Sequence, residues 1–257
     1  MPRSFVHEAL VLSVRASGEA NREASFLTAE EGIIRATVFG GPKSKLRAHV
    51  ASFHEGTLYL YRDPVRDSRK VVDFDVRSWR PLLRESLERT WAASALSETI
   101  LASHGGGGSW VQALSLANDT LDALEVSDDA GSQRSLLRFL WKWTELLGAR
   151  PDDEGCCHCA CRLSDDEVVW YSRYEGAFFC DSCVQRRGVQ GLNEEGLLPL
   201  GSGARKWFKA VENVDARSAL RISLDSGAQA KRLVTEILGE ALGRRLTTWD
   251  ACGTPRA

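Results

Sequence analysis

No stretch of this chain approaches the roughly eighteen consecutive apolar residues of a membrane-crossing helix. Its opening, Met1-Pro-Arg-Ser-Phe-Val-His-Glu8, lacks the apolar centre of a secretory signal. Charge of one sign is lacking too. The 257 residues carry 33 Lys and Arg against 35 Asp and Glu, a net of −2, so nothing global advertises nucleic acid or an anionic membrane. Catalytic signatures are missing as well: no phosphate-loop Gly-Lys-Ser/Thr follows the run Gly105–Gly108, and neither Gly-x-Ser-x-Gly nor His-Glu-x-x-His occurs. His7, His49, His54, His104 and His158 are too scattered to suggest a triad. Together these absences point to a soluble cytoplasmic protein that is not an enzyme.

What the chain does have is cysteine in metal-binding spacing. Cys156-x2-Cys159 and Cys180-x2-Cys183 lie about twenty residues apart. Two residues between thiolates let a tight turn aim both sulfurs at one ion, and a second pair completes a tetrahedral shell. The aromatic run between the pairs, Trp170, Tyr171, Tyr174, Phe178 and Phe179, suits two short strands packed over the metal. Four sulfurs close the shell to water and substrate, so the expected role of a bound zinc ion is structural. A zinc deaminase would need His-x-Glu ahead of Pro-Cys-x-x-Cys, which is absent. Buried apolar cysteines or a redox pair are the plainer alternatives. Cys157, His158 and Cys161 crowd the first pair, so a Cys157-x3-Cys161 register stays open. Seven cysteines in all, an odd set with this spacing, suit a reducing compartment. Asp152, Asp153, Glu154, Asp165, Asp166 and Glu167 make the surroundings acidic, which favours a local staple over a phosphate-binding surface.

The rest of the chain has two textures. Up to about residue 79 the chain reads as strands, in Ala9–Arg15, Glu23–Thr28, Ile33–Phe39, Thr57–Tyr61 and Val71–Val76, several of which alternate with period two, with turn residues between them. Five strands with one long loop at 40–53 predict a five-stranded Greek-key barrel of the OB type, with an SH3-like barrel as near competitor. From Pro81 the period becomes helical. Leu83, Leu87 and Trp91 form one stripe; Leu114, Ala117, Leu121 and Leu124 a second; Leu136, Phe139, Leu140, Trp143 and Leu147 a third. Ser109 and Ser132 are candidate caps. Later helices are expected from Ser202, with Trp207, Phe208 and Val211, and from about Ser226, with Leu233, Ile237, Ala241 and Leu242. The fold class is therefore α+β and multi-domain. A barrel spans 1–79, a helical domain 80–150 and 198–247, and a zinc knuckle is inserted at 151–197.

Residues 1–80 hold thirteen Lys and Arg against ten Asp and Glu. The cations concentrate in Lys43, Lys45 and Arg47, within a loop introduced by Gly40-Gly41, and in Arg62, Arg66, Arg69 and Lys70. Such a loop leaves cations and backbone amides open to phosphate. OB barrels bind strands through a basic groove and aromatic faces, which makes Phe39, Tyr59, Tyr61 and Phe74 candidates to stack, although small barrels fill with such side chains. Arg22 and Arg35 complete the candidate DNA-binding set. The reading is backbone binding without sequence recognition.

In the order of these segments the chain resembles the bacterial recombination mediator family RecO. The likeness runs through Ala9–Arg15, Gly18-Glu19-Ala-Asn-Arg22, Leu27-Thr28-x3-Gly32-Ile33 and Val38-Phe-Gly-Gly-Pro-Lys-Ser-Lys-Leu-Arg47. It continues through a first helix over Glu85–Ile100 and two Cys-x2-Cys pairs where many members carry a zinc module. Where the family usually has Gly after the second cysteine, this chain has Ala160. The resemblance implies a mediator of the RecF pathway without a catalytic centre. Such a protein binds single- and double-stranded DNA, anneals complementary strands and engages the acidic tail of the single-strand-binding protein. With RecR it helps load RecA. The tail implies an apolar pocket rimmed by cations, for which Trp141 and Lys142, or Arg205, Lys206 and Lys209, are the candidates. A generic OB-plus-zinc-ribbon RNA or single-strand binder is the alternative.

Overall fold

A computed structural model describes residues 3–41, 44–187, 196–216, 218, 220–251 and 253. The chain divides into two compact units, one ending at Val126 and one beginning at Ser127.

The first unit is built on the expected barrel. Its strands are β1 (Ser4–Ser17), β2 (Asn21–Thr28), β3 (Gly32–Val38), β4 (Glu55–Asp63) and β5 (Ser68–Ser78). They close in the order β1-β2-β3-β5-β4, with β1 antiparallel to both β2 and β4. The parallel contact of β3 with β5, at Thr37 and Lys70, completes the OB arrangement. Alternation does the sorting. In β3, Ile34, Ala36 and Val38 point inward while Arg35 points out, and the core also takes Phe26, Leu58 and Phe74. A register shift between Val11 and Ser13 lets the long β1 bend from one neighbour to the other. At Gly56 the backbones of β4 and β5 approach so closely that a Cβ would sit 2.0 Å from the Asp75 carbonyl oxygen.

The loop between β3 and β4 carries one short helix, α1 (Lys45–His49). After β5, a single 3₁₀ turn (Pro81–Arg84) leads into α2 (Leu87–Ala102) and α3 (Trp110–Glu125). Ser86 caps α2, and Ser109 caps α3 by accepting from the Gln112 N–H. The expected α3 stripe is buried, but that of α2 is not. Leu87 is 62% exposed and Trp91 37%, while Ala92, Ala93, Ala95, Leu96 and Ile100 pack. Leu83, where that stripe begins, belongs to the 3₁₀ turn, and the tighter turn puts the helix face out of phase.

Among the described residues the second unit holds α4 (Asp129–Leu146), a three-stranded sheet, and four further helices. Asp128, rather than Ser132, caps α4, accepting from the Gly131 N–H; the Ser132 hydroxyl bonds back to the Asp128 carbonyl. The sheet consists of β6 (Val169–Ser172), β7 (Ala177–Cys180) and β8 (Leu197–Leu200), in the order β7-β6-β8. The helices are α5 (Asp181–Arg187), α6 (Ser202–Glu212), α7 (Leu224–Leu242) and α8 (Thr248–Ala251). The cap of α7 is Ser223, three residues before the expected start, and its side chain accepts from the Ser226 N–H. Among the described residues no helix is long and apolar enough to cross a membrane.

Candidate nucleic-acid interface and metal centre

On the outer face of the barrel an open groove of about 670 Å³ is lined by Phe39, Leu46, Tyr61, Arg66, Arg69 and Lys70, among others. It exists because four elements converge there: the end of β3, the end of β4, the start of β5, and α1, which seats Leu46 at the edge. One acid, Asp63, lines it against three cations. Lys70 Nζ stands 4.7 Å above the Tyr61 ring, which leaves an aromatic face and a charge side by side. Phe39 is 52% exposed at the rim. Phe74, by contrast, is fully enclosed and packs 6.0 Å from Phe26. Tyr59 lies on the outer face of β4 and is hydrogen-bonded to Asp75, a contact that raises its hydroxyl pKa.

Apart from Arg69 and Lys70, none of the candidate DNA contacts among the described residues lines this groove. Lys45 is exposed on α1 and Arg47 half-buried there. Arg22 pairs in register with Val38, next to Phe39, and Arg35 is exposed on β3. Two cations are already engaged: Arg62 with Asp67 and Arg69 with Glu31, each at 2.9 Å. Lys43 lies outside the described residues. Val72, 57% exposed along the groove, had no signal in the sequence because its neighbours on β5 do not alternate cleanly.

In the second unit the sulfurs of Cys156, Cys159, Cys180 and Cys183 all lie within 4.8 Å of one another. Local hydrogen bonds make the first turn: the Cys156 N–H donates to the Cys161 carbonyl, and the Ala160 N–H to the Cys156 carbonyl. The Cys180 N–H points at the Cys156 sulfur, 3.3 Å away, and Cys183 sits in the first turn of α5. Cys157 instead donates its N–H to the Phe178 carbonyl and is exposed. The converging register is thus 156/159/180/183. Four thiols at mutual contact distance suit a soft, tetrahedral ion. A backbone N–H from Cys161 toward its sulfur holds the Cys159 thiol down to about 6, whereas burial pushes Cys183 up.

The knuckle is tied to α6 by Arg205, which is 1% exposed. Its guanidinium donates to the carbonyls of Asp153, Leu163 and Ser164 and pairs with Asp165. Trp141 is also enclosed, stacked on Phe208 at 4.0 Å and covered by Arg150 at 4.4 Å. Lys206 is exposed and Lys142 and Lys209 half-buried, and the three pair with Asp166, Glu212 and Asp165 respectively. The five candidate tail-binding residues therefore divide into two interior anchors and three ion-paired lysines.

Ala160 adopts φ +57°, in the left-handed region. A Cβ there costs about 1–2 kcal/mol, offset in part by the greater unfolded freedom of glycine. Ala160→Gly is therefore expected to stabilise the knuckle by about 0.5–1 kcal/mol. Chelator competition checks this: the variant should need more chelator for the same metal loss.

A closed OB barrel with a cationic, aromatic groove, joined to a helical unit carrying a four-thiol knuckle, defines a nucleic-acid-binding class of protein. Family models described as Recombination protein O N terminal and Recombination protein O C terminal match residues 1–72 and 84–250. The chain belongs to the RecO family of DNA repair proteins. A DNA repair protein RecO of Pelotomaculum thermopropionicum is 31% identical over 183 residues, covering 69% of this chain and 67% of the relative. That of Synechococcus elongatus is 25% identical over 194 residues, 73% of this chain and 72% of the relative. That of Symbiobacterium thermophilum is 24% identical over 257 residues, 97% of each.

Proposed function

We propose that this protein is a non-catalytic recombination mediator that binds single- and double-stranded DNA through the barrel groove and anneals complementary strands. The groove itself carries the reading, because it combines Arg66, Arg69 and Lys70 with the exposed Phe39 and the half-buried Tyr61. Cations there neutralise phosphates on two strands and so lower the repulsion that opposes annealing. The remainder of the reading follows the family. The second unit would hold the acidic tail of the single-strand-binding protein, and RecR, close to the DNA at raised effective concentration, so that RecA can load. Lys142, Lys206 and Lys209 are its cations for that tail. The four cysteines would hold a structural zinc ion. Residues 1–79 would serve as the DNA domain, 151–197 as the knuckle, and the segments 80–150 and 198–247 as the helical part. The place of action would be the nucleoid.

The test is annealing of complementary oligonucleotides coated with single-strand-binding protein, with and without its acidic tail. Lys45→Glu with Lys70→Glu is expected to slow annealing and to reduce the salt dependence of DNA binding by about one unit of slope per cation removed. Unchanged affinity and slope in a folded double variant would reject the groove. Binding without annealing or tail dependence would reduce the protein to a generic single-strand binder.

A further inference from the structure

Trp79 follows β5 directly and keeps 46% of its surface open to solvent. Two imidazoles brace it. The His49 ring meets it at 90° with centroids 5.5 Å apart, and the His54 ring at 66° and 5.0 Å. Both histidines are fixed in turn, since His49 Nδ1 lies 3.1 Å from the Phe74 carbonyl and His54 Nδ1 2.8 Å from the His49 carbonyl. A carbonyl only accepts, so each Nδ1 carries the proton and each Nε2 of the neutral ring presents a lone pair. Among the described residues, no hydrogen bond engages either Nε2 or the Trp79 indole N–H. The cluster is therefore rigid and leaves both donor and acceptor edges unused.

Cations flank it. Arg84, on the 3₁₀ turn, is exposed and commits one nitrogen to the Ser52 carbonyl at 3.0 Å. Lys45 is exposed and lies one helical turn before His49, on the same face of α1. The same short helix seats Leu46 in the groove, so α1 connects the groove to Trp79 within one turn. A flat aromatic surface with unpaired polar edges, between cations, fits a nucleobase whose phosphates reach Lys45 and Arg84. A duplex offers no free base face, and the charge complementarity favours a polyanion over an apolar peptide.

We propose that Trp79 is a stacking platform for one unpaired base of a single strand that leaves the barrel groove across α1. This rests on the groove's reading as a DNA interface and adds what distinguishes single strands from duplex there.

The experiment compares full-length wild type, Trp79→Leu and Trp79→Phe for binding to a labelled oligothymidylate and to a duplex of equal length. Leucine keeps apolar bulk against the two histidines but has no π face; phenylalanine keeps one. Trp79→Leu is expected to lose about 5- to 100-fold in single-strand affinity, with duplex affinity unchanged and Trp79→Phe close to wild type. Equal loss on both DNAs, or no loss on the single strand, would overturn the platform. Should Trp79→Leu fail to fold, Trp79→Phe with Arg84→Glu decides: it must weaken the single strand more than the duplex. The Lys45→Glu, Lys70→Glu variant run alongside separates the two readings. If it loses both DNAs while Trp79→Leu loses neither, the platform fails and the groove stands. If wild type binds neither DNA, both fail.

Discussion

Arg80→Ala is expected to cost the first unit about 3–5 kcal/mol, because it strips the partner from buried acceptors. Arg80 is 2% exposed, yet its guanidinium makes contacts on every side. Nε bonds Asp122 at 2.6 Å, one terminal nitrogen the Phe53 carbonyl at 2.9 Å, and the other Glu55 and Asn118 at 3.2 Å each. These acceptors come from β4, its preceding loop and α3, so one side chain pins the helix to the barrel. Arg80 pays for this with a left-handed backbone, φ +47°. Truncation leaves Glu55, 16% exposed, with only the exposed Arg77 as a cation and strips the Phe53 carbonyl of its donor. Urea unfolding of the full chain, followed by far-UV dichroism, checks the magnitude. A loss under about 1 kcal/mol would mean that water replaces the guanidinium. Arg80→Met combined with Asp122→Leu and Glu55→Met should recover much of the stability, since apolar replacement of a whole buried ionic group is often neutral.

Removing the proposed zinc ion is expected to have a still larger effect, confined to the knuckle. In small zinc modules the binding free energy, about 10–16 kcal/mol, is effectively folding free energy. Here β6, β7 and β8 give some independent structure, and Arg205 gathers three carbonyls of the loop leading in. The turns at Cys156–Cys161 and Cys180–Cys183 have little else to hold them, with Cys159 and Cys161 exposed. Cys180→Ser is therefore expected to lose about one equivalent of zinc per chain and to open residues 151–197 to proteolysis. DNA affinity should stay at the wild-type level, because the groove is built wholly from the first unit. Metal content, limited proteolysis and DNA binding on the same preparation decide it. A folded Cys180→Ser protein that loses DNA affinity would make the knuckle part of the interface.

Much of this molecule is local, and local features were legible. Strands β3 and β4 declare themselves by their own alternation, in β3 Ile34, Ala36 and Val38 inward and Arg35 outward, whereas β1 and β2 bury unbroken runs. The two Cys-x2-Cys pairs declare a metal site because two intervening residues set the sulfur geometry within one turn. The register at Cys156 and Cys159 needed the hairpin, since only the Phe178 carbonyl bonded to the Cys157 N–H turns Cys157 away.

Where a residue's fate depends on distant partners, the sequence by itself could not decide. Leu87 and Trp91 read as core from spacing but face out, because the 3₁₀ turn resets the phase of α2. Arg205 read as a surface cation, but three carbonyls 41 to 52 residues away enclose it. Trp79 carried no signal at all; its bracing depends on His49 and His54 arriving from another loop. The sequence by itself determined the barrel strands and the thiol pairs, which repeat with the period of a strand or close within one turn. Only the tertiary structure decided which charges and aromatics are anchors and which are left at the surface, because burial of such groups depends on partners that long-range folding brings to them.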